Sequence, residues 1–258
     1  MSLLVYPIVN ELTLSGKTLI IPVVSTANVS QLAADLLIAS FSLRRLAMFN
    51  PEFLVPVVGA REDGEEGITT PLELYGAPNS DLLVIQQRSP VLKSKKQDFV
   101  TGLLGFIQTS GVASVLFLSG VDLSNRTDSQ MFTATYQMQP RNSPSLAGTP
   151  LDALSSSSIS TYTSPVPQSV HGSTEDGGVP FIPGGGLTRR LMGSLPEGWS
   201  IPTALLLQFV LEGDNRADAR LFAAAVAKIV GHDLSQWRQP SSWKAGLFGA
   251  PHDQTLYG

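Results

Sequence analysis

Apolar and polar positions alternate along the first fifty residues in a strand-then-helix pattern. Residues 18–24 form a β-branched apolar run that begins just after Gly16, which predicts a buried strand. Asn28 and Gln31 then stand in capping-box order, and the apolar spacing after them predicts a helix reaching about Met48. The apolar arc of this helix is too wide for one buried face, so a second layer or a partner subunit should cover it.

The middle of the chain continues the alternation of strands and helices. Four segments have the composition of strands: 53–58, 72–75, 82–87 and 114–118. Pro56 restricts the first of them to an edge or a bend, and the second and third are expected to pair as a hairpin. Between the third and fourth, residues 99–107 have helical spacing and Gly111 supplies a stop. This order predicts an α/β fold, a three-layer αβα sandwich with a mixed, largely parallel sheet.

The second half of the chain begins with a change of composition. Residues 122–180 are rich in Ser, Thr, Pro, Gln and Gly, which predicts a long, flexible, low-complexity insertion, although 131–138 alternates as a strand does. We therefore predict one α/β domain over residues 1–249, interrupted at about 122–180, and a C-terminal tail over 250–258.

Two more helices are predicted after the insertion. Pro202 suits the first turn of an apolar helix that stops at Gly213. Asp214 or Asn215 should cap the next helix, which is alanine-rich and runs to Gly231.

Composition and charge narrow the classes of function. A net charge of −4 without a basic stripe argues against nucleic acid as a partner. The most apolar run, 204–211, is far shorter than the roughly 20 residues that span a bilayer, so no membrane partner is expected. The chain has no cysteine and its N-terminus lacks the positive region of a secretory signal. These features favour a cytoplasmic location, with the nucleus as a second compartment.

A glycine run is the first candidate for chemistry. Pro183 precedes Gly184, Gly185 and Gly186, and a helix is expected to begin near Thr188. Such a run can cradle an anion at a helix N-terminus, but the lysine and hydroxyl of a P-loop are missing at the required spacing. The favoured interpretation is that the glycines permit positive φ or close packing of the backbone.

The ionisable residues give little support to catalysis. His171, His232 and His252 do not recur at the spacing of metal ligands, and no metal or cofactor is predicted. Asp35 lies within the predicted apolar first helix, where a local hydrogen bond or an exposed position is expected rather than catalysis. Asp63, Glu65 and Glu66 could form a carboxylate cluster, but a charge run beside glycines is expected to lie in a solvated loop.

The end of the sequence predicts a docking tail. Trp237 and Trp243 are expected to anchor the C-terminal segment, so that the tail projects with Leu256, Tyr257 and Gly258 at its tip. The carboxylate and the tyrosine together offer a few kcal/mol after ordering costs, which corresponds to roughly millimolar affinity. The tail can therefore set the register of a complex, while the body must also bind.

Four separated segments together resemble the PAC2 family of proteasome assembly chaperones. They are residues 28–36 (NVSQLAADL), 182–186 (IPGGG), 209–215 (FVLEGDN) and 240–243 (PSSW). The residues that the resemblance marks as structural or interfacial are Asn28, Gln31, Leu32, Asp35, Pro183, Gly184, Gly185, Gly186, Glu212, Gly213, Asp214, Asn215, Ser242 and Trp243.

The resemblance implies a phosphorylase/hydrolase-like fold without catalysis and an ATP-independent chaperone for assembly of the 20S proteasome. It implies a heterodimer with proteasome assembly chaperone 1 on the outer face of the α-subunit ring. The final residues match a tail of hydrophobic residue, tyrosine and any residue (HbYX), which would enter a pocket between α subunits, where a lysine would meet the carboxylate of Gly258.

Two alternatives remain from the residues alone. One is a nucleoside phosphorylase-like or hydrolase-like enzyme that uses the loop of Gly184, Gly185 and Gly186. It predicts a substrate-sized pocket with convergent polar groups at those glycines. The other is a generic scaffold with a flexible arm.

Overall fold

The core of the computed structural model, which describes residues 3–62, 65–166, 178–232, 234 and 236–245, is an eight-stranded mixed sheet. In spatial order the strands are β1 (Val5–Pro7), β3 (Arg44–Phe49), β6 (Leu72–Gly76), β7 (Leu82–Gln87), β2 (Thr18–Pro22), β8 (Ser114–Asp122), β10 (Thr203–Val210) and β9 (Thr135–Met138). A separate two-stranded hairpin is made by β4 (Gly59–Ala60) and β5 (Ile68–Thr69).

The centre of the sheet is parallel. β7, β2, β8 and β10 run in the same direction, and Ile20 of β2 lies opposite Val84 on one side and Leu116 on the other. β6 and β9 flank these four strands as antiparallel neighbours, and β3 and β1 continue the sheet antiparallel beyond β6. The carboxyl ends of the four central strands therefore meet at one edge of the sheet.

Helices cover both faces of the sheet. Their bounds are α1 (Val29–Ser40), α2 (Lys96–Ser110), α3 (Ala153–Ser156), α4 (Gly186–Gly193) and α5 (Arg216–Ile229). α1, α3 and α5 bury apolar side chains in the core on one face, and α2 and α4 do so on the other. The predicted three-layer αβα sandwich with a mixed sheet is confirmed, as are β2, the β6–β7 hairpin, β8, and the helices α2 and α5.

The first predicted helix is too long, and its cap is wrong. α1 ends at Ser40 because Ser42 takes a left-handed φ of 52°, after which the chain turns into β3. Asn28 is itself left-handed, with φ of 51°, and its side chain makes no capping bond to the described helix. The wide apolar arc is covered within the chain, by the sheet and by α5.

Two further element predictions are wrong. Residues 53–58 contribute only one isolated bridge, from Leu54 to Val91, within the described chain. The apolar run after Pro202 is the strand β10 rather than a helix, and all eight of its residues are buried. It pairs with β8 on one side and β9 on the other, and a short run that is apolar on every face cannot be assigned by periodicity.

The predicted flexible insertion is largely folded where the structure describes it. Leu146, Leu151 and Leu154 are buried in the core on the α1–α5 face of the sheet, and Tyr162 is buried on the opposite face. Gln137 of β9 donates to the carbonyls of Leu154 and Ile159, which holds this segment against the sheet edge. A few well-spaced apolar residues are sufficient to attach a polar segment to an existing core. Residues 167–177 lie outside the described residues.

Candidate functional site

Three of the four sequence motifs meet at the carboxyl ends of β2, β8 and β10. The motif at 28–36 starts just after β2, the IPGGG motif leads into α4, and the motif at 209–215 joins β10 to α5. In open α/β sheets this edge is where ligands usually bind. The contacts among residues 26–28, 182–186 and 209–215 show how the chain itself fills part of this edge.

The turn after β2 is held by an acidic residue from the motif at 209–215. Ala27 and Asn28 both have left-handed φ angles, 58° and 51°, which cost roughly 1–2 kcal/mol each for residues with a Cβ. The amide of Ala27 donates to Glu212 Oε1 at 2.9 Å. Glu212 therefore has a structural role, because it satisfies a backbone donor of this strained turn.

The glycine motif is packed against the same turn. Gly184 has φ of 74°, and a Cβ placed on it would lie 1.9 Å from the Thr26 hydroxyl oxygen. A Cβ on Gly185 would lie 2.4 Å from a methyl carbon of Ile182. The carbonyl of Pro183 accepts from the amide of Asp122 at the end of β8. At both glycines the chain fills the position that a Cβ would take, as the close-packing interpretation predicted, while the backbone of Gly184 is exposed.

The remaining residues of the motif at 209–215 shape the start of α5. Asn215 occupies the cap position, but its side chain donates back to the carbonyls of Leu211 and Gly213. Asp214 accepts from the amide of Arg216 at 3.3 Å and from its guanidinium. Of the two predicted caps, Asp214 therefore contacts a helix amide, and Asn215 closes the turn before the helix.

A second polar cluster lies beside α1 and contains Asp35. Arg88 Nη2 donates to Asp35 Oδ1 at 3.0 Å, and Gln86 Nε2 donates to the same oxygen at 2.7 Å and to the carbonyl of Gln31 at 2.9 Å. The expectation that Asp35 is exposed or bonded locally is wrong, because its partners come from β7 and the residue after that strand. Burial disfavours the charge on Arg88, but Asp35 and Tyr75 together outweigh that cost and raise the pKa of Arg88.

A buried carboxylate stabilises the neighbouring strands. Glu73 is fully buried on β6, where it accepts from Arg45 at 2.7 Å and from the hydroxyl of Tyr75 at 2.6 Å. Burial, reinforced by this carboxylate, raises the pKa of Tyr75 to about 12. Arg45 also donates to the carbonyl of Ile68 at 2.6 Å, so the ion pair ties the β4–β5 hairpin to the sheet.

The fourth motif is attached next to the Asp35 cluster by Glu62. One carboxylate oxygen of Glu62 accepts from the Ser241 hydroxyl at 2.8 Å and the Ser242 amide at 3.0 Å, and the other accepts from the Ser242 hydroxyl at 2.6 Å. Glu62, Asp35, Arg88 and Pro240 line one small cavity of about 90 Å³. Motifs from the two ends of the sequence therefore meet at a single polar site.

Trp243 completes the attachment of the C-terminal segment. Its side chain is 4% exposed within the core of the α1–α5 face, as predicted for an anchor. Arg216 donates to its carbonyl at 3.4 Å, and the Ser40 hydroxyl is 3.0 Å from the amide of Arg238. We call residues 236–245 the tail anchor. The predicted tail tip, Leu256, Tyr257 and Gly258, lies outside the described residues.

The bonds at Glu62 should make the tail anchor sensitive to acid. Burial would raise the pKa of Glu62, but hydrogen bonds from Ser242 and Ser241 outweigh it and lower the pKa below the usual 4.5. A lowered carboxyl pKa contributes stability above the unfolded-state pKa, and this stability is lost as the pH falls through the folded-state pKa. We expect Glu62→Gln to lower the free energy of unfolding by about 1–2 kcal/mol at pH 7. The deficit should shrink as the pH falls below about 4.5.

Urea unfolding from pH 7 to pH 3 measures this effect, and Asp98→Asn is the control. Asp98 pairs with Lys95 where both side chains are about half exposed, so that ion pair contributes little to stability. A Glu62→Gln deficit that does not change with pH would contradict the assignment.

Sequence reasoning missed Glu62, Arg88 and Glu73. Glu62 lies in the charged segment 61–67, where nothing local distinguishes it from its acidic neighbours. Within the described residues, no group of three or more His, Cys, Asp or Glu is placed to hold a metal ion. No helix in the same part of the chain is long and apolar enough to cross a membrane.

Comparison with known proteins gives concordant results. A family model described as the PAC2 family matches residues 19–230. Proteasome assembly chaperone 2 of Xenopus tropicalis is 31% identical over 252 residues, which cover 92% of this chain and 93% of that protein. The Homo sapiens protein of the same name is 32% identical over 268 residues and covers 95% and 96% of the two chains.

Solved structures share the fold at lower identity. Pyrococcus furiosus PbaA, described as an archaeal homolog of proteasome-assembly chaperone, matches with a TM-score of 0.59 at 15% identity, over 90% of this chain and 88% of that one. PbaB from the same organism, described as an archaeal proteasome activator, matches with a TM-score of 0.58 at 18% identity, over 91% of each chain.

Proposed function

The chain belongs to the PAC2 family, and from this membership we propose that it is an assembly chaperone for the 20S proteasome that acts by binding rather than catalysis. The observation that carries the proposal is the extent of the similarity. Relatives named Proteasome assembly chaperone 2 match over more than nine tenths of both chains. Their shared name refers to proteasome assembly and supports the same role here.

We further propose how the chaperone is organised. It pairs with proteasome assembly chaperone 1, and the heterodimer covers the outer face of the α-subunit ring without using ATP. Leu256, Tyr257 and Gly258 enter a pocket between neighbouring α subunits and fix the register of the complex. The cytoplasm, and in second place the nucleus, is the proposed compartment, and the absence of cysteine suits its reducing chemistry.

The geometry of the tail anchor supports a docking role for the residues beyond it. Trp243 and the bonds to Glu62 fix the chain up to residue 245. The thirteen residues 246–258 can span at most about 45 Å when fully extended, because each adds roughly 3.3–3.6 Å. A fixed base limits the volume that the tip can search, which raises its effective concentration at a nearby pocket once the body is bound.

The packing of the glycine motif supports binding over catalysis. Thr26 and Ile182 occupy the space into which a side chain would extend from Gly184 and Gly185. Glu212 accepts a hydrogen bond from the amide of Ala27 in the turn after β2. These contacts are made within the chain and hold the turn after β2 against the glycine motif.

Native mass spectrometry tests the proposed partners. The full chain, co-expressed with proteasome assembly chaperone 1 and mixed with purified α-subunit rings, should give a one-to-one heterodimer and then a heterodimer–ring complex. An affinity purification that recovers neither the second chaperone nor proteasome subunits would contradict the proposal and favour a generic scaffold.

A further inference from the structure

An apolar surface lies at the β1 edge of the sheet, away from the sequence motifs. A cavity of about 480 Å³ opens between β1, β3 and the segment before β4, and its lining includes Tyr6, Met48, Pro56, Val57 and Val58. Among the described residues that line it, none carries a charge. A site for a small polar ligand would need several converging polar groups to orient it, so this lining suits apolar side chains instead.

The apolar surface continues beyond the cavity mouth. Leu3 and Val5 contribute to the core on the α2–α4 face, so Leu4, Tyr6 and Ile8 point to the opposite face, where Tyr6 lines the cavity. We define the β1 surface as Leu4, Tyr6, Ile8, Val57, Val58 and Ile68. All six are substantially exposed, from 39% for Val57 to 73% for Val58.

The helix on this face leaves the β1 end of the sheet open. α1 makes its main sheet contacts with β7, β2 and β8, and it ends at Ser40 before the chain enters β3. Together these six partly exposed apolar side chains present an accessible apolar area on the order of 500 Å². The largest apolar patch on a typical monomeric protein measures about 300–600 Å², so the β1 surface is near the upper end of that range. With a polar rim, such a patch approaches the roughly 800 Å² per partner of a stable interface.

The backbone of β1 restricts how a partner can bind. Leu4 and Ile8 use their backbone groups to form hydrogen bonds with β3. The backbone groups of Val5 and Pro7 therefore point away from β3, toward the open edge of the sheet. Pro7 has no N–H, which blocks the addition of a further strand at this position. A partner must therefore bind by packing side chains onto the β1 surface.

We propose that the β1 surface is the place where the second subunit of the heterodimer packs, with uncharged apolar side chains of that subunit entering the cavity. This inference rests on the proposed function. Permanent subunit interfaces are more apolar than contacts that must later be released. The cavity lining is uncharged and the six side chains are apolar and exposed, so the β1 surface fits a lasting subunit partner.

The β1 surface is also linked to the tail anchor. Val58 leads directly into the β4–β5 hairpin, and Glu62, which binds Ser241 and Ser242, follows two residues after β4. A subunit packed on Val58 would therefore restrict the motion of residues 57–62, which include the Glu62 that binds the tail anchor. Heterodimer formation and tail presentation are joined through residues 57–62.

Charge substitution at Val58 tests the assignment. Val58→Arg and Val58→Glu should each weaken binding to purified proteasome assembly chaperone 1 by about tenfold or more, since a tenfold change needs only about 1.4 kcal/mol. A long-range electrostatic effect would weaken binding for one sign of charge and strengthen it for the other. Loss of binding in both variants therefore points to disrupted packing at Val58. Phe132→Arg is the matched control, because Phe132 is 93% exposed and precedes β9 at the other edge of the sheet. Native mass spectrometry titration gives the affinities, and thermal unfolding confirms that all variants remain folded.

Each result has a defined meaning. Loss of binding in both Val58 variants with the control unchanged supports the proposal. Binding at the strength of the unaltered chain in either Val58 variant overturns the β1 surface while the proposed function stands. Loss restricted to self-association assigns the surface to a second copy, and loss restricted to the α ring assigns it to the client, and either result overturns the proposal. If the unaltered chain fails to bind this subunit, the proposed heterodimer and the inference fail together.

Discussion

Removal of Leu256, Tyr257 and Gly258 is expected to weaken binding of the heterodimer to the α ring by on the order of 100-fold, while the heterodimer itself stays intact. Burial of the tyrosine and the charge-assisted bond of the carboxylate contribute about 1.5–3 kcal/mol each, and ordering the tail offsets part of this. A net loss of about 2.7 kcal/mol corresponds to 100-fold. Titration of labelled α rings with the purified heterodimer measures the change.

Single substitutions separate the contributions within the tail. Tyr257→Ala should reproduce most of the loss, whereas Tyr257→Phe should retain the apolar part of the contact. A C-terminal amide on Gly258, introduced by peptide ligation, removes the carboxylate charge alone. Unchanged affinity of the truncated chain for the ring would refute the role of the tail and leave the body as the sole binding surface.

Elements with a clear local pattern were predictable from the sequence. β2 and β8 are short apolar runs between turn residues, and α2 has helical spacing with Gly111 at its end, at φ of 74°. β10 was mistaken for a helix because its eight residues are buried on both faces and carry no period-2 signal. The division between α1 and β3 was missed because the break is made by a left-handed Ser42, a conformation that the residue type does not indicate.

The residues of the site were predictable as motifs, whereas their contacts were not. Asp35 and Arg88 are 53 positions apart, and Glu62 and Ser242 are 180 apart. Side-chain patterns within a short window carry no information on such pairs, because only the sheet topology brings them together. The sequence did contain a usable clue at Asp35, since a carboxylate inside an apolar helix requires a partner if it is buried.

The motifs therefore act mainly on the shape of the chain. Glu212 stabilises the turn at Ala27, Gly184 allows Thr26 to approach, and Ser242 with Trp243 fixes the base of the tail. None of these contacts requires a ligand. A binding protein needs its surfaces held in fixed relative positions. These three contacts attach the turn at the carboxyl edge of the sheet, and the tail anchor, to the same domain.

Substitution of Gly184 by alanine is expected to destabilise the protein by about 2–4 kcal/mol. The φ of 74° costs roughly 1–2 kcal/mol for a residue with a Cβ, and the new Cβ would lie 1.9 Å from the Thr26 hydroxyl oxygen unless that side chain or the turn shifts. Gly186→Ala is the matched control, because nothing lies within 4 Å of a Cβ there and the residue starts α4. Urea unfolding at pH 7 measures both variants.

A double variant separates the two causes of the Gly184 effect. Thr26→Ala removes the hydroxyl, so Thr26→Ala with Gly184→Ala should recover the steric part of the loss and retain the backbone part. If Gly184→Ala were as stable as Gly186→Ala and instead abolished a measurable turnover of nucleosides or esters, the glycines would be lining a catalytic pocket. Loss of stability without any such turnover would show that the IPGGG motif serves close packing at the carboxyl edge of the sheet.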